Sequence, residues 1–267
     1  MKETNLLLGR KTDYPQTYAP EALFAIPRRE SRAALGLEDD LPFDGVDIWN
    51  AWELTWLGPG NRPVVATAEI RVPAMTPNLI ESKSLKLYLG AFAMTEFDSP
   101  GDVRDAITRD LSECAGGPVD VSLDTDAAVA TLAGQCIDSL QIECSNWAVD
   151  ASLLQANPDD IIEESLHTHL LRSLCPVTAQ PDMGSLQITY SGPKIDPGAL
   201  LRYIVSFRLH NDFHEACVER IFVDITERCR PEKLSVYARY QRRGGIDINP
   251  FRSGVDSQPG NSRLWRQ

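Results

Sequence analysis

Twice along this chain two β-like stretches are followed by two segments of helical spacing, and that repeated order limits the fold more than any single residue does. Val46 to Leu57 and Arg62 to Pro73 are rich in Trp, Val, Ile and Thr, and Gly58-Pro59-Gly60-Asn61 between them reads as a turn. From Ser82 to Phe92, the residues Leu85, Leu89 and Phe92 recur at i, i+4 and i+7, as on one helix face. Ser99-Pro100 opens a second helix through about Cys114, and Gly116-Gly117-Pro118 ends it. Strand-like stretches follow at Val119 to Leu123 and Leu140 to Val149. In the second half, Ser165 to Cys175 and Ser185 to Tyr190 read as strands joined by a proline-rich loop. Pro197 to Leu209 and Phe213 to Cys229 have helical spacing, and Leu234 to Tyr240 and Ile246 to Ile248 are strands about Arg242-Arg243-Gly244-Gly245. Helices inserted together between hairpins imply an antiparallel sheet with helices on one face, an α+β layout. Leu166, Leu170 and Leu174 suit a helix equally well, so Ser165 to Leu174 is open to either reading.

The expected organisation is an N-terminal arm over 1–45, a first module over 46–150 and a second over 151–267. In the arm, Pro15, Pro20 and Pro27 break any regular pattern, and Pro27-Arg28-Arg29-Glu30-Ser31-Arg32 is locally basic. Leu6, Leu7 and Leu8 are followed at once by Lys11 and Asp13, which is no export signal. Nowhere do about 18 apolar residues run together, so no membrane span is expected, and a cytoplasmic protein is. The net charge of −12 argues against a broad nucleic-acid or anionic-membrane surface, though not against a local basic pocket. The six cysteines form no C-x-x-C pair and read as reduced thiols.

Four short segments can carry chemistry. In Cys175-Pro176-Val177-Thr178-Ala179-Gln180-Pro181-Asp182 two prolines stiffen a loop that holds a thiol and an acid. A cysteine attacks as thiolate, and Asp182 can take up its proton and return it. The plainer alternative is a buried thiol beside a turn aspartate. In Ile80-Glu81-Ser82-Lys83-Ser84-Leu85-Lys86-Leu87-Tyr88, Ser82 or Ser84 can cap a helix whose free amides favour anions, with Lys83 and Lys86 adding positive charge. A capped helix with a solvated basic face fits as well. In Phe213-His214-Glu215-Ala216-Cys217-Val218-Glu219-Arg220, adjacent His214 and Glu215 point about 100° apart on a helix and would reach different parts of one ligand. A surface glutamate beside a satisfied histidine is the alternative. In Arg242-Arg243-Gly244-Gly245 the glycines let backbone approach a phosphate, or the segment is simply a basic hairpin tip.

Together these segments resemble the NADPH-dependent 7-cyano-7-deazaguanine reductases of queuosine biosynthesis, in their long two-module form. The resemblance rests on Glu81 to Tyr88, Cys175 to Asp182, Phe213 to Arg220 and Leu234-Ser235-Val236-Tyr237-Ala238-Arg239-Tyr240 through Pro250, and extends to the Arg-Leu-Trp-Arg-Gln end. It implies tandem tunnelling-fold modules of two strands, two helices and two strands. It implies Cys175 as the nucleophile that adds to the nitrile as a thioimide, and Asp182 as proton donor. Ile80, Glu81, Ser82, His214 and Glu215 would contact the deazaguanine, with Glu215 as the base anchor. Ser82, Lys83, Arg243 and Gly244 would contact NADPH, two of which are consumed because nitrile to amine takes four electrons. No metal is required, and a homodimer is expected.

The first module has Thr55-Trp56-Leu57-Gly58 where the second has its Cys-Pro loop, and the second module's first helix opens Lys194-Ile195-Asp196-Pro197. Neither module therefore holds a complete motif set, and one composite pocket per chain is expected. Two rival classes stay open at this point. One is a zinc hydrolase of the same fold, like GTP cyclohydrolase I, using ligands among His167, His169, Cys175, His214 and Cys217. The other is a non-catalytic purine- or pterin-binding module, which would keep Glu215 but have no use for Cys175 and Asp182 together.

Overall fold

Residues 14–38, 40–125, 128–255 and 258–267 are described by a computed structural model. The run Leu6, Leu7 and Leu8, on which the absence of an export signal rests, lies outside the described residues. Chain order is β1 (Ala25–Pro27), α1 (Arg29–Ala33), β2 (Asp44–Gly58), β3 (Arg62–Pro73), β4 (Asn78–Ile80), α2 (Ser82–Gly90), α3 (Pro100–Ala115), β5 (Asp120–Leu123), β6 (Val129–Ala130) and β7 (Gln135–Cys136). There follow β8 (Ala156–Leu174), β9 (Pro181–Ile195), α4 (Pro197–Ser206), α5 (His214–Cys229), β10 (Lys233–Tyr240), β11 (Ile246–Ser253) and β12 (Arg263–Leu264). The fold is thus mixed α+β. Among the described residues no helix is long and apolar enough to cross a membrane.

The chain divides into two compact units. The described residues within 14–30, 48–125 and 242–247 form one, and those within 31–47, 128–241 and 248–267 the other. In the first, β3 alternates strictly, with Ala66, Ala68, Ile70 and Val72 buried, as a half-buried strand must. It lies between β2 and β5. The turn from β2 to β3 places Gly60 at φ 75° and Asn61 at φ 58°, left-handed conformations open to Gly and tolerated by Asn. Ser99 accepts from the Asp102 amide to start α3, and Gly116, at φ 74°, ends it.

In the second unit, β11, β10, β9, β8 and β7 lie side by side in that order. All neighbours run antiparallel except β7, which is parallel to β8. Leu166, Leu186, Ile188, Val236 and Ala238 from the sheet share one buried cluster with Leu200 and Ile204 of α4 and Val218, Ile221 and Ile225 of α5. Burial of such side chains stabilises by about 1.5–3 kcal/mol each. Asp196 accepts from the Ala199 amide at 2.6 Å and Pro197 takes the first helical position, so α4 starts where a local reading puts it.

One open reading is decided and two expectations change. Ser165 to Leu174 is strand, as first read, and the helical alternative falls; it belongs to a longer β8. Its leucine spacing misleads because the register shifts between Thr168 and Leu171: Leu166 and Leu171 are buried while Leu170 is 38% exposed. Leu140 to Val149 is not a strand. Leu140, Ile142, Cys144 and Val149 pack against the second unit's core, which satisfies their alternation without a ladder. In the first half the two helices are followed by β5 and then by the two-residue strands β6 and β7, not by a strand at Leu140 to Val149. Third, the arm is less irregular than its prolines suggest, because β1 pairs with β4 and Arg28 is buried beside Thr76.

Candidate active site

The candidate residues fall into two groups, one in each unit. In the second unit, β8 and β9 form a hairpin whose connection carries Cys175. The Cys175 amide donates to the Gln180 carbonyl, and its own carbonyl accepts from the Ala179 amide, both at 2.9 Å. Ala179 is left-handed at φ 53°, which closes the loop tightly. From outside, the Leu174 amide donates to the His210 carbonyl and the Asp212 amide to the Leu174 carbonyl. The end of β8 is thereby tied to the segment that leads into α5.

This tie brings distant residues together. Asp182 is the second residue of β9, opposite Ser173, and is buried. His214 and Glu215 are the first two residues of α5. His214 Nε2 lies 3.6 Å from Asp182 Oδ1. The imidazole stands edge-on to Tyr240, with ring centroids 4.1 Å apart. Glu215 is buried in the same helical turn. Gly184 has a local reason to be glycine: a Cβ there would lie 3.1 Å from Tyr240 Cδ1 and 3.3 Å from Leu171 Cδ2.

Cys217 lies one turn further along α5 and is fully buried. Burial pushes its thiol well up, and the carboxylate of Asp212 adds to this. Ser173 Oγ and Tyr240 Oη approach the sulfur but make no hydrogen bond of normal geometry. Cys217 is thus a protonated thiol inside the protein, unsuited to attack. Burial likewise raises Tyr240, with the Cys217 and Asp182 groups adding to it. Ser173 has no sequence signal and Tyr240 only its place in the Leu234 to Tyr240 motif; the register of three strands sets them beside α5. A separate hollow lined by Gln187, Thr189, Ser235, Tyr237 and Arg239 holds none of the candidate residues.

In the first unit, Ile80 ends β4, and Glu81, not Ser82 or Ser84, caps α2. Its carboxylate accepts from the Lys83 amide at 2.9 Å and the Ser84 amide at 2.7 Å. Those two amides are therefore already used by the protein's own carboxylate. Glu81 is itself pinned, since its amide donates to the Phe24 carbonyl and its carbonyl accepts from Ser84 Oγ. Burial raises its carboxyl above the ordinary range, opposed by these amides and by Lys86 and Lys83. Ser82 and Lys83 are half-buried at the helix start.

Arg243 and Gly244 lie in the same unit. The Arg243 amide donates to the Ile246 carbonyl at 2.9 Å, and Gly244 and Gly245 adopt φ 60° and 83° between them. A Cβ on Gly244 would meet Lys86 Cδ at 3.3 Å. Lys86, Gly244 and Gly245 line a shallow hollow together with Glu53 and Thr55. The turn is held by two contacts that sequence reading missed. Trp52 donates its amide to the Gly245 carbonyl, and its indole Nε1 donates to Asp247 at 2.6 Å.

The ligand set of the zinc-hydrolase alternative does not converge. His167 and His169 lie beside Cys136, whereas His214 and Cys217 belong to α5.

A family profile described as "Nitrile reductase, 7-cyano-7-deazaguanine-reductase N-term" matches residues 14–123. A second, described as "QueF-like protein", matches residues 181–258. The NADPH-dependent 7-cyano-7-deazaguanine reductase of Azoarcus sp. (strain BH72) is 54% identical over 257 residues, spanning 94% of this chain and 91% of that protein. The protein of the same name from Dechloromonas aromatica (strain RCB) is 51% identical over 267 residues, spanning 97% and 94%. A crystal structure of the archaeosine synthase QueF-Like in the apo form aligns with 36% of this chain and 96% of its own, at 15% identity and a TM-score of 0.32, too slight a likeness to bear on the fold.

Proposed function

The chain belongs to the family of NADPH-dependent 7-cyano-7-deazaguanine reductases, and on that premise we propose that it reduces this nitrile through a covalent adduct on Cys175, with Asp182 moving the protons. The observation that carries the residue assignment is the buried Asp182 carboxylate, 3.6 Å from His214 Nε2 on the hairpin that carries Cys175. A carboxylate and an imidazole side by side, on segments tied to the ends of the Cys175 loop, support this reading.

The chemistry follows from the groups. The Cys175 thiolate adds to the nitrile carbon, and the nitrogen takes the thiol proton by way of Asp182, leaving a thioimide. NADPH supplies a hydride when bound, and two are consumed because nitrile to amine takes four electrons. After the first hydride and a proton reach the thioimide, the C–S bond breaks and Cys175 leaves as thiolate. The resulting imine takes the second hydride and a proton to become the primary amine. The pocket has to keep water from the thioimide and imine, which would otherwise hydrolyse. Glu215 suits the base anchor: a carboxylate accepts two parallel donors such as N1–H and a 2-amino group. His214, Ile80, Glu81 and Ser82 are the other positions we assign to substrate contact.

The donor set around the glycine turn fits an anionic co-substrate. Ser82, Lys83, Arg243 and Gly244 are the positions we assign to NADPH, and Lys86 joins them because it lines the same hollow as Gly244. Bare glycine backbone beside cationic side chains suits a phosphate.

We read the two units as tunnelling-fold modules; β8, β9, α4, α5, β10 and β11 in that order support this for the second. The reading further takes the protein as a cytoplasmic homodimer acting on a free deazaguanine, without nucleic acid. Its test is stoichiometric. NADPH oxidised per amine formed should be two, in enzyme stripped of metal. A ratio of one would end this reading.

A further inference from the structure

His167 and His169 stand two residues apart on β8 and so share one face of the strand. Beside them runs β7, parallel, with Cys136 paired to His167 and the Ile137 amide donating to the His167 carbonyl at 2.9 Å. One ring nitrogen from each histidine and the Cys136 sulfur all lie within 4.8 Å of one another. The reductase chemistry proposed above uses none of the three.

Both rings are held by hydrogen bonds. His167 Nδ1 lies 3.2 Å from the Ala133 carbonyl, which can only accept, so Nδ1 carries the proton and Nε2 keeps its lone pair. His169 Nδ1 lies 2.7 Å from Ser185 Oγ. The His169 backbone is fixed as well: its amide donates to both oxygens of Asp138 at 3.1 Å, and Asp138 also accepts from Thr168 Oγ1. Two imidazoles braced by outer hydrogen bonds, beside an exposed thiol, are how a protein arranges metal ligands, not how it leaves three unrelated surface groups.

We propose that Cys136, His167 and His169 form a binding site for Zn2+ or a divalent transition metal of similar character, with water in the fourth position. One sulfur and two imidazoles select against Mg2+ and Ca2+, which take oxygen ligands, and suit tetrahedral zinc. Binding forms the metal–sulfur bond and releases the Cys136 proton to solvent. The site is separate from the reducing chemistry: His169 lies on β8, six residues before Cys175 in the connection that follows the strand, a stretch of up to roughly 20 Å at the usual rise. Its effect is structural. β7 has only two residues and lies at the sheet edge, and the metal would fasten it to β8.

The test uses full-length protein stripped by chelator and titrated with Co2+. One equivalent should bind with a sulfur-to-cobalt charge-transfer band and tetrahedral visible bands, and Zn2+ should displace it. Zn2+ should also raise the Tm. Cys136→Ser should lose the sulfur band, and His169→Ala should weaken binding on the order of 100-fold or more. Ser185→Ala, which removes only a brace, should weaken it about 10-fold. Cys175→Ala should bind as the parent does. Chelator-stripped enzyme and Cys136→Ser should retain nitrile reduction, so failure of the metal site leaves the reductase reading untouched. The site is disproved by a sulfur band that persists in Cys136→Ser, by its loss in Cys175→Ala, or by the absence of any sulfur band in the parent.

Discussion

His214 Nε2 stands 3.6 Å from Asp182 Oδ1, although one residue opens a helix and the other lies near the start of a strand. An imidazole beside a buried carboxylate can relay protons to a group bound over the Cys175 loop. Asp182→Asn keeps the shape and removes the acid. It should lower kcat by about 100-fold or more while substrate affinity changes little. Without NADPH the parent enzyme should accumulate an adduct of one full substrate mass on Cys175, since addition to a nitrile expels nothing. Steady-state kinetics reads the first effect and intact-protein mass spectrometry the second. Cys217, whose buried thiol stays protonated, should carry no adduct. Its appearance there would mean that the nucleophile is misassigned.

Glu215 is buried in the first turn of α5, where a lost partner cannot be replaced by water. Glu215→Ala should cost roughly 1–3 kcal/mol of binding for the natural base. An analogue without the 2-amino group should lose much less. Calorimetric titration of both ligands checks this, and equal losses would remove Glu215 from the anchor role.

Within the second unit, Arg252 donates to Asp47 at 2.8 Å and to Glu219 at 2.9 Å, and Arg32 donates to Glu219 at 2.8 Å. Burial works against a charged Arg252, but Asp47 and Glu219 outweigh it and hold the guanidinium charged. Glu219→Ala leaves two buried cations short of their shared partner. It should destabilise the protein by about 3–5 kcal/mol. Denaturant unfolding gives the value, and a change within about 0.5 kcal/mol would show that the network is dispensable.

Glu81 has a pH signature. Its folded carboxyl titrates above the ordinary glutamate value because burial raises it. Between those two values the folded state binds more protons than the unfolded state, so stability falls as pH rises. The contribution is complete below the ordinary value, about 4.3, and lost above the raised one. Glu81→Gln cannot ionise and should lack this slope. Melting temperatures of both proteins across that window should diverge as pH falls, the parent gaining relative to the variant. Parallel curves would show that burial does not govern this group.

Much of the local architecture is legible in the chain. Ser99-Pro100 and Asp196-Pro197 mark helix starts because capping and a preset φ act over three or four residues, and Gly116 marks an end for the same reason. The turn at Gly244-Gly245 is legible because only glycine takes two left-handed conformations in succession without cost. The motif residues of the candidate site could likewise be picked out by type.

The tertiary structure decided what depends on register and burial. The shift between Thr168 and Leu171 turned a helix-like leucine pattern into strand, and no local spacing encodes such a shift. Glu81 displaced the serines as helix cap because β1 pairing with β4 holds its backbone in place. Cys136 met His167 and His169, and His214 met Asp182, because strand register and the segment tying β8 to α5 bring remote positions together. By itself the sequence determined the elements and the residue types available for chemistry, since propensity and capping are short-range. Which of those residues become neighbours within a unit, and which ionisable groups lose water, only tertiary packing decided, since both depend on contacts between segments far apart in the chain.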